Sequence, residues 1–298
     1  MAVGKKITDL TASGSLKDTD LAIVHDGNGT KKSALTQLSN YMGTKFSNPN
    51  LLINPDFKIN QRGSTSYDGV SNTLYTVDRW LVANGHATVS DNGFTVSSDS
   101  GAGTWLTQKL EKALETVVTL TVNISNISGK ISLTTPSNNF FVTSPGIYRI
   151  TLDRLEEFNI YVYENSSVTL KWAKLEQGSI ATPFVVPNPA EELSKCKRYF
   201  IRLGTISFIP VKNQISEIAR ENKTSYFQSI NGFFGVQMRK SPTISYDKTP
   251  KYTSGEDISG VTVDLNASDV RVGSLKATPD ISNWSLNVEN VIIDAEIY

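Results

Sequence analysis

The chain has 298 residues, 39% of them hydrophobic, with 29 basic against 29 acidic and a net charge of zero. The length fits about two domains, the apolar content is enough for packed cores, and the balanced charge gives no drive toward duplex nucleic acid or an anionic membrane. A single cysteine, Cys196, and two histidines, His25 and His86, exclude an intrachain disulfide framework and a Cys/His zinc module; with no signal-like or membrane-length apolar run, a reducing cytosol is the expected place of synthesis and membrane insertion is not expected.

In chain order, His25 precedes Asp26-Gly27-Asn28-Gly29, a hairpin-turn sequence, so His25 reads as a turn flank. Ser33 to Met42 predicts a short helix with Leu35, Leu38 and Met42 on one stripe, followed by a polar joint, Ser47-Asn48-Pro49-Asn50. Apolar residues then recur at spacing two, in Phe94–Val96, Val118–Val122, Ile147–Leu152, Ile160–Tyr163 and Val168–Leu170. Each reads as a half-buried strand, with turns at Asp91-Asn92-Gly93, Ser128-Gly129-Lys130 and Ser144-Pro145-Gly146. Asn188 is a good N-cap, Pro189 fits the first helical position, and Glu191 and Glu192 suit the first turn. From there Leu193, Cys196, Phe200 and Leu203 form one apolar stripe, which predicts a helix running to Gly204. A further helix is a candidate over Asn213 to Lys223, and strands are expected at Val261–Leu265 and Val291–Ile297. The fold class is therefore mainly β. A small segment (1–46) precedes a central β-sandwich (50–187), and a linking helix leads into a C-terminal β region (188–298).

No Gly-x-Ser-x-Gly elbow, phosphate loop or His-Glu-x-x-His motif is present, and no cofactor or metal is expected. Cys196, on an apolar stripe without a nearby histidine, reads as a packing residue. Glu156 and Glu157 are adjacent, so on a strand they point to opposite faces and cannot share a substrate as a glycosidase pair does. A distant pair such as Asp78 with Glu176 needs coordinates to judge. Of the four tryptophans, Trp80 and Trp172 sit in alternating strands and are expected in the core, whereas Trp105 and Trp284 are left open. An exposed tryptophan would suggest sugar stacking.

Several segments resemble known virion proteins. Lys6–Leu10, Leu16–Val24 and Gly29–Leu38 look like the N-terminal attachment segment of bacteriophage tail-fibre proteins. Asn50–Gly63 and Tyr75–Trp80 resemble the opening of a carbohydrate-binding-module-like jelly roll in phage fibres, and Ala173–Phe184 resembles its close. Glu191–Phe200, Val236–Ile244 and Ile292–Ile297 are similar to the helix and tip domains that follow.

The resemblance implies a central jelly roll and a C-terminal β-sandwich tip in a non-enzymatic bacteriophage fibre or receptor-binding appendage, located in the virion. It also implies a homotrimer, for which Phe233, Phe234 and Val236 are candidate axis residues, and attachment to another virion structural protein through residues 1–46. The distal ligand would be a host-surface glycan or receptor, with no nucleic acid as partner. Loop 246–257 carries Tyr246 and Tyr252 and loop 279–284 carries Trp284, each beside hydrogen-bonding residues, which makes Tyr246, Tyr252, Asn283 and Trp284 the expected ligand-binding residues. A capsid-attached head fibre shares the modules. The rival from another class is a glycan-degrading depolymerase, distinguishable by two acidic side chains facing one cleft.

Overall fold

The computed structural model describes residues 17, 19–25, 27–43, 45–70, 74–135, 139–208, 238–240, 242–247, 251–252, 264–265, 270–271 and 286–296. Residues 213–223, Val261–Val263, Phe233, Phe234, Val236, Asn283 and Trp284 lie outside them.

The N-terminal part is a hairpin of β1 (Leu21–His25) and β2 (Thr30–Ala34), followed by α1 (Leu35–Gly43). His25 pairs with Thr30 across the turn, as a turn flank should. The expected helix forms, but its stripe faces no core. None of its residues is buried, and Leu21, Ile23, Leu38, Tyr41 and Met42 are all exposed.

Twelve strands then build a sandwich. They are β3 (Ser66–Val70), β4 (Leu74–Tyr75), β5 (Leu81–Ala83), β6 (Gly85–Ser90), β7 (Gly93–Ser97), β8 (Thr104–Leu114), β9 (Val118–Ser128), β10 (Ile131–Thr134), β11 (Asn139–Val142), β12 (Gly146–Leu152), β13 (Leu155–Val162) and β14 (Ser167–Gln177). One six-stranded sheet has the order β11-β10-β13-β8-β5-β4 and the other β12-β9-β14-β7-β6-β3. The described pairings within both are antiparallel. Period-two patterning sends Leu106, Leu133, Phe158, Ile160 and Val162 of the first sheet inward against Phe94, Val96, Leu120, Val122, Val168, Leu170 and Leu175 of the second.

The opening motif is the core's keystone. Phe57, at φ 61°, stacks on Phe94 with centroids 5.0 Å apart and lies 4.7 Å from Trp80, which meets Phe158 edge-on at 5.3 Å. Left-handed backbone costs a non-glycine residue about 1–2 kcal/mol, and burying the ring offsets it. Asn54 holds the turn by donating to the carbonyls of Ile59 and Asp78 and accepting from the Ile59 N–H, while the Trp80 indole donates to the Asn54 carbonyl. Trp80 is therefore in the core as expected, but it lies in the turn before β5, where its N–H bonds the Val77 carbonyl, and not in an alternating strand.

Helix α2 (Pro189–Lys197) begins as expected, with Asn188 capping the Ala190 N–H. It ends at Lys197, however, not near Gly204. Phe200 and Leu203 belong to β15 (Phe200–Phe208), which pairs with β20 (Leu286–Asp294). The spacing of three between Phe200 and Leu203 fits a helix, and on a strand the two leave from opposite faces; the partner Val291–Ile293, distant in sequence, nevertheless draws them into a sheet. The helix buries Glu192 and Cys196, not Leu193; burial pushes the Cys196 thiol far up, leaving it an inert packing group. Around β20 the described C-terminal residues form a four-stranded sheet with β15, β16 (Thr243–Ser245) and β17 (Lys251–Tyr252), and β18 (Asp264–Leu265) pairs with β19 (Val270–Arg271).

Candidate functional site

The outer face of the first sheet carries an uncovered aromatic row. In β13 the aliphatic residues Ile160 and Val162 point inward, so Tyr161 points outward, as does Tyr163 two residues on. Registration sets Trp105 of β8 opposite Tyr161, Tyr161 opposite Ser132 of β10, and Ser132 opposite Phe141 of β11. The Trp105 and Tyr161 rings lie 4.6 Å apart, Tyr161 and Tyr163 4.7 Å, and Phe141 and Tyr163 6.2 Å. Trp105 is 36% exposed and Phe141 52%. Tyr161 lies over Gly103, where any Cβ would collide with its ring.

A polar row runs alongside, two residues down each strand. Thr107 pairs with Asn159 and Asn159 with Thr134, which pairs with Asn139. Thr107 donates to Asn159 at 2.6 Å, and the Asn159 amide donates to Glu157 at 2.8 Å. Amide and hydroxyl groups beside fixed rings can grip a ligand that is apolar on its faces and polar on its edges. From Trp105 to Phe141 the row crosses three strand steps, roughly 14 Å at about 4.8 Å each.

The second sheet's outer face is different. Trp172 was expected in the core; a register shift within β14 between Leu170 and Trp172 turns it outward, where it stacks on Phe184 at 4.5 Å and 3°. Next to it Lys174 and Glu176 are buried beneath the returning segments 45–50 and 178–186. The Lys174 ammonium donates to Ser47 Oγ, to Thr182 Oγ1 and to the carbonyls of Thr182 and Pro183. Glu176 accepts from both the N–H and the hydroxyl of Thr182. The closing motif is thus a strap fastened over its own strand.

Asp78 and Glu176, the distant carboxylate pair, are separately committed. Asp78 accepts from the Gln61 N–H at 2.9 Å and side chain at 2.5 Å, and Arg62 lies 3.7 Å away. Glu156 is exposed and bonds Arg154, while Glu157 bonds Asn159. A cleft of about 380 Å³ between the strap and α2 does hold Glu191 and Glu192. There Glu192 is engaged by the Asn54 N–H at 2.6 Å and Lys195 at 2.9 Å, so it serves as an anchor. Among the described residues no group of three or more His, Cys, Asp or Glu could hold a metal ion.

The C-terminal closing motif docks onto the jelly-roll opening. Arg79, at φ 70° and buried, donates to Glu296 at 2.6 Å and to the Lys109 carbonyl at 2.6 Å, with its guanidinium 3.8 Å from the Tyr199 ring centroid. Arg62 lies 3.6 Å from Glu296 and 3.8 Å from the Phe200 ring centroid. Burial pushes the Glu296 carboxyl up, against the pull of Arg79 and Arg62.

Of the residues expected to bind ligand, Tyr246 is half-buried just after β16, and Tyr252 ends β17, paired with Leu286. Both border β20; Asn283 and Trp284 lie outside the described residues. The row of Trp105, Tyr161, Tyr163 and Phe141 was not singled out from sequence, although Ile-Tyr-Val-Tyr at 160–163 already separates aliphatic from aromatic faces.

No family model and no curated protein matches the chain. Structural likenesses include a variant of a family 29 carbohydrate-binding module (11% identity, TM-score 0.26, covering 42% of this chain and 100% of that one). Another is a family 29 module from Piromyces equi (10%, 0.23, 40% and 91%). A third is discoidin II from Dictyostelium discoideum (11%, 0.21, 68% and 81%). At such TM-scores a likeness carries no argument about fold or ligand; the mainly β sandwich rests on the chain's own strand pairing.

Proposed function

We propose that the protein binds a glycan on the outer face of the first sheet, and that it does so as the receptor-binding part of a bacteriophage fibre or appendage. The observation that carries the glycan reading is the bare row Trp105–Tyr161–Phe141, with the Thr107–Asn159–Thr134 row beside it. Sugar rings present C–H faces that stack on aromatics and hydroxyl edges that bond to amides. A row about 14 Å long suits an oligosaccharide rather than one sugar. The face is part of a sheet, so its rings are pre-positioned and little is lost in ordering them.

Glycan-array binding followed by calorimetry tests this reading. Trp105→Ala and Tyr161→Ala should each abolish or greatly weaken retention while the thermal midpoint stays within a few degrees. Unchanged binding in both would move the site elsewhere, first to the region of Tyr246, Tyr252, Asn283 and Trp284.

The virion role is supported by the ordered set of fibre-like motifs and by the exposed apolar residues of the N-terminal hairpin and α1. The described part of this segment is a two-stranded ribbon with one short helix, an arrangement that is marginally stable at best on its own. Anchoring through residues 1–46 predicts that a truncation lacking them fails to enter particles; normal incorporation would refute it. The homotrimer is tested by native mass measurement, where a monomer at micromolar concentration would overturn it.

A further inference from the structure

We infer that the glycan bound by this face carries an anionic substituent, a carboxylate or a phosphate, held against the Lys130 ammonium at one end of the aromatic row. The inference rests on the glycan reading and adds the chemical class of ligand.

Lys130 Nζ lies 4.2 Å from the Tyr163 ring centroid and 4.7 Å from that of Phe141. Its backbone is held on both sides: the N–H donates to Ser166 Oγ at 2.9 Å, and the carbonyl accepts from the Tyr163 N–H at 3.0 Å. Gly129 before it adopts φ 78°, and a Cβ there would strike Ser166. The ammonium is therefore positioned by the fold and by two rings that attract cations.

Among the described residues no carboxylate pairs with Lys130. Glu164, beside Tyr163 in the chain, accepts from the Gly101 N–H at 3.2 Å, and Asp99 bonds His86 at 2.7 Å. On the same sheet face Glu157 lies opposite Lys109 and bonds Asn159. The contrast with Lys174 is informative, because that ammonium is enclosed by Ser47, Thr182, Pro183 and Glu176. Aromatic rings use the charge of Lys130 but take up no strong hydrogen bond, so among the described residues nothing occupies its N–H groups.

A ligand stacked on Phe141 and Tyr163 covers this ammonium from water. Covering a charge is costly unless an opposite charge and hydrogen bonds replace the lost hydration. A neutral hydroxyl supplies one dipole, whereas a carboxylate or phosphate supplies charge and several acceptor lone pairs. The selection is therefore for an acidic group in contact with Lys130, not for polyanions at long range, which the chain's zero net charge does not attract.

The test is a glycan array carrying neutral, carboxylated and phosphorylated oligosaccharides, probed with the full-length protein and three variants. Acid-bearing glycans should lead the wild-type hits, and whether carboxylates or phosphates lead separates the two sources. Lys130→Met keeps the stem and removes the charge; it should weaken acidic hits roughly tenfold or more, the scale of a hydrogen bond to a charged group, and leave neutral hits unchanged. Lys130→Arg should restore the acidic preference, and Trp105→Ala should remove all binding. If neutral glycans lead and Lys130→Met changes nothing while Trp105→Ala still abolishes binding, the acidic-ligand inference falls and the glycan reading stands. If no glycan class is retained by the wild type, both fall.

Discussion

The two outer faces of the sandwich present the same kind of residue in opposite circumstances. Trp172 on one face is stacked against Phe184 under a strap of the chain's own making. Trp105 on the other packs its ring on a cross-strand Tyr161, with the small Ala83 opposite on its other side, and is left 36% exposed. Buried Lys174 and Glu176 fasten the first face shut, whereas Lys130 lies between rings on the second, its ammonium paired with no carboxylate among the described residues. An outward aromatic is therefore a structural part where the chain returns over it, and where it does not, the ring stays open to a ligand such as the glycan proposed above. Coverage, not residue type, separates the two.

The largest effect is expected from breaking the covered face. Glu176→Ala leaves Lys174 buried without its carboxylate, which typically costs about 3–5 kcal/mol. Chemical denaturation would measure the loss, and hydrogen exchange should localise new opening to residues 178–186. A loss under about 1 kcal/mol would mean that the strap is held by packing alone.

Next come the two tryptophans, tested as a pair. Trp172→Ala removes a half-buried stacked ring and should cost about 2 kcal/mol of stability, below the 3–5 kcal/mol of a fully buried aromatic, with glycan binding intact. Trp105→Ala should change stability by less than about 1 kcal/mol and cost about 2 kcal/mol or more of binding, as a central aromatic contact does. Denaturation and calorimetry on both variants check the crossing pattern; if both lose stability alike, the faces are not functionally distinct.

The smallest effect is in pH. His86 on β6 is partly exposed, and its hydrogen bond to Asp99, with a longer contact to Asp68, raises its pKa. A raised folded-state value means that the imidazolium's contribution is fully present below the unfolded pKa near 6.5. It is lost as pH rises through the higher folded value. The magnitude falls within the roughly 0.2–1 kcal/mol of exposed pairs. Thermal midpoints between pH 6 and 8 should decline slightly in the wild type and be flatter in His86→Asn, with glycan binding unaffected by the substitution.

Much of the fold was legible locally. Alternation at 94–96, 118–122, 147–152, 160–163 and 168–170 placed strands where β7, β9, β12, β13 and β14 stand. Asn188, Pro189 and the two glutamates located the start of α2 because caps act within one turn. The end of that helix was not legible, since the spacing of Phe200 and Leu203 favours a helix and the deciding partner, Val291–Ile293, is far away in the chain. Trp172 was misplaced for a related reason: a bulge shifts the alternation, and nothing in the local pattern signals it.

What the sequence determined by itself was the β class, the places of β7, β9, β12, β13 and β14 with the turns beside them, and the lack of cysteines and histidines for a disulfide or a Cys/His zinc module. These follow from short-range periodicity and residue counts. What only the tertiary structure decided was the meeting of residues distant in sequence: Arg79 with Glu296, Lys174 with Ser47, Trp105 with Tyr161 and Phe141 with Tyr163. Periodicity says which side of a strand a ring leaves from. Whether that side ends beneath another segment or against water depends on strand order and on where the chain returns, and those are settled by long-range packing.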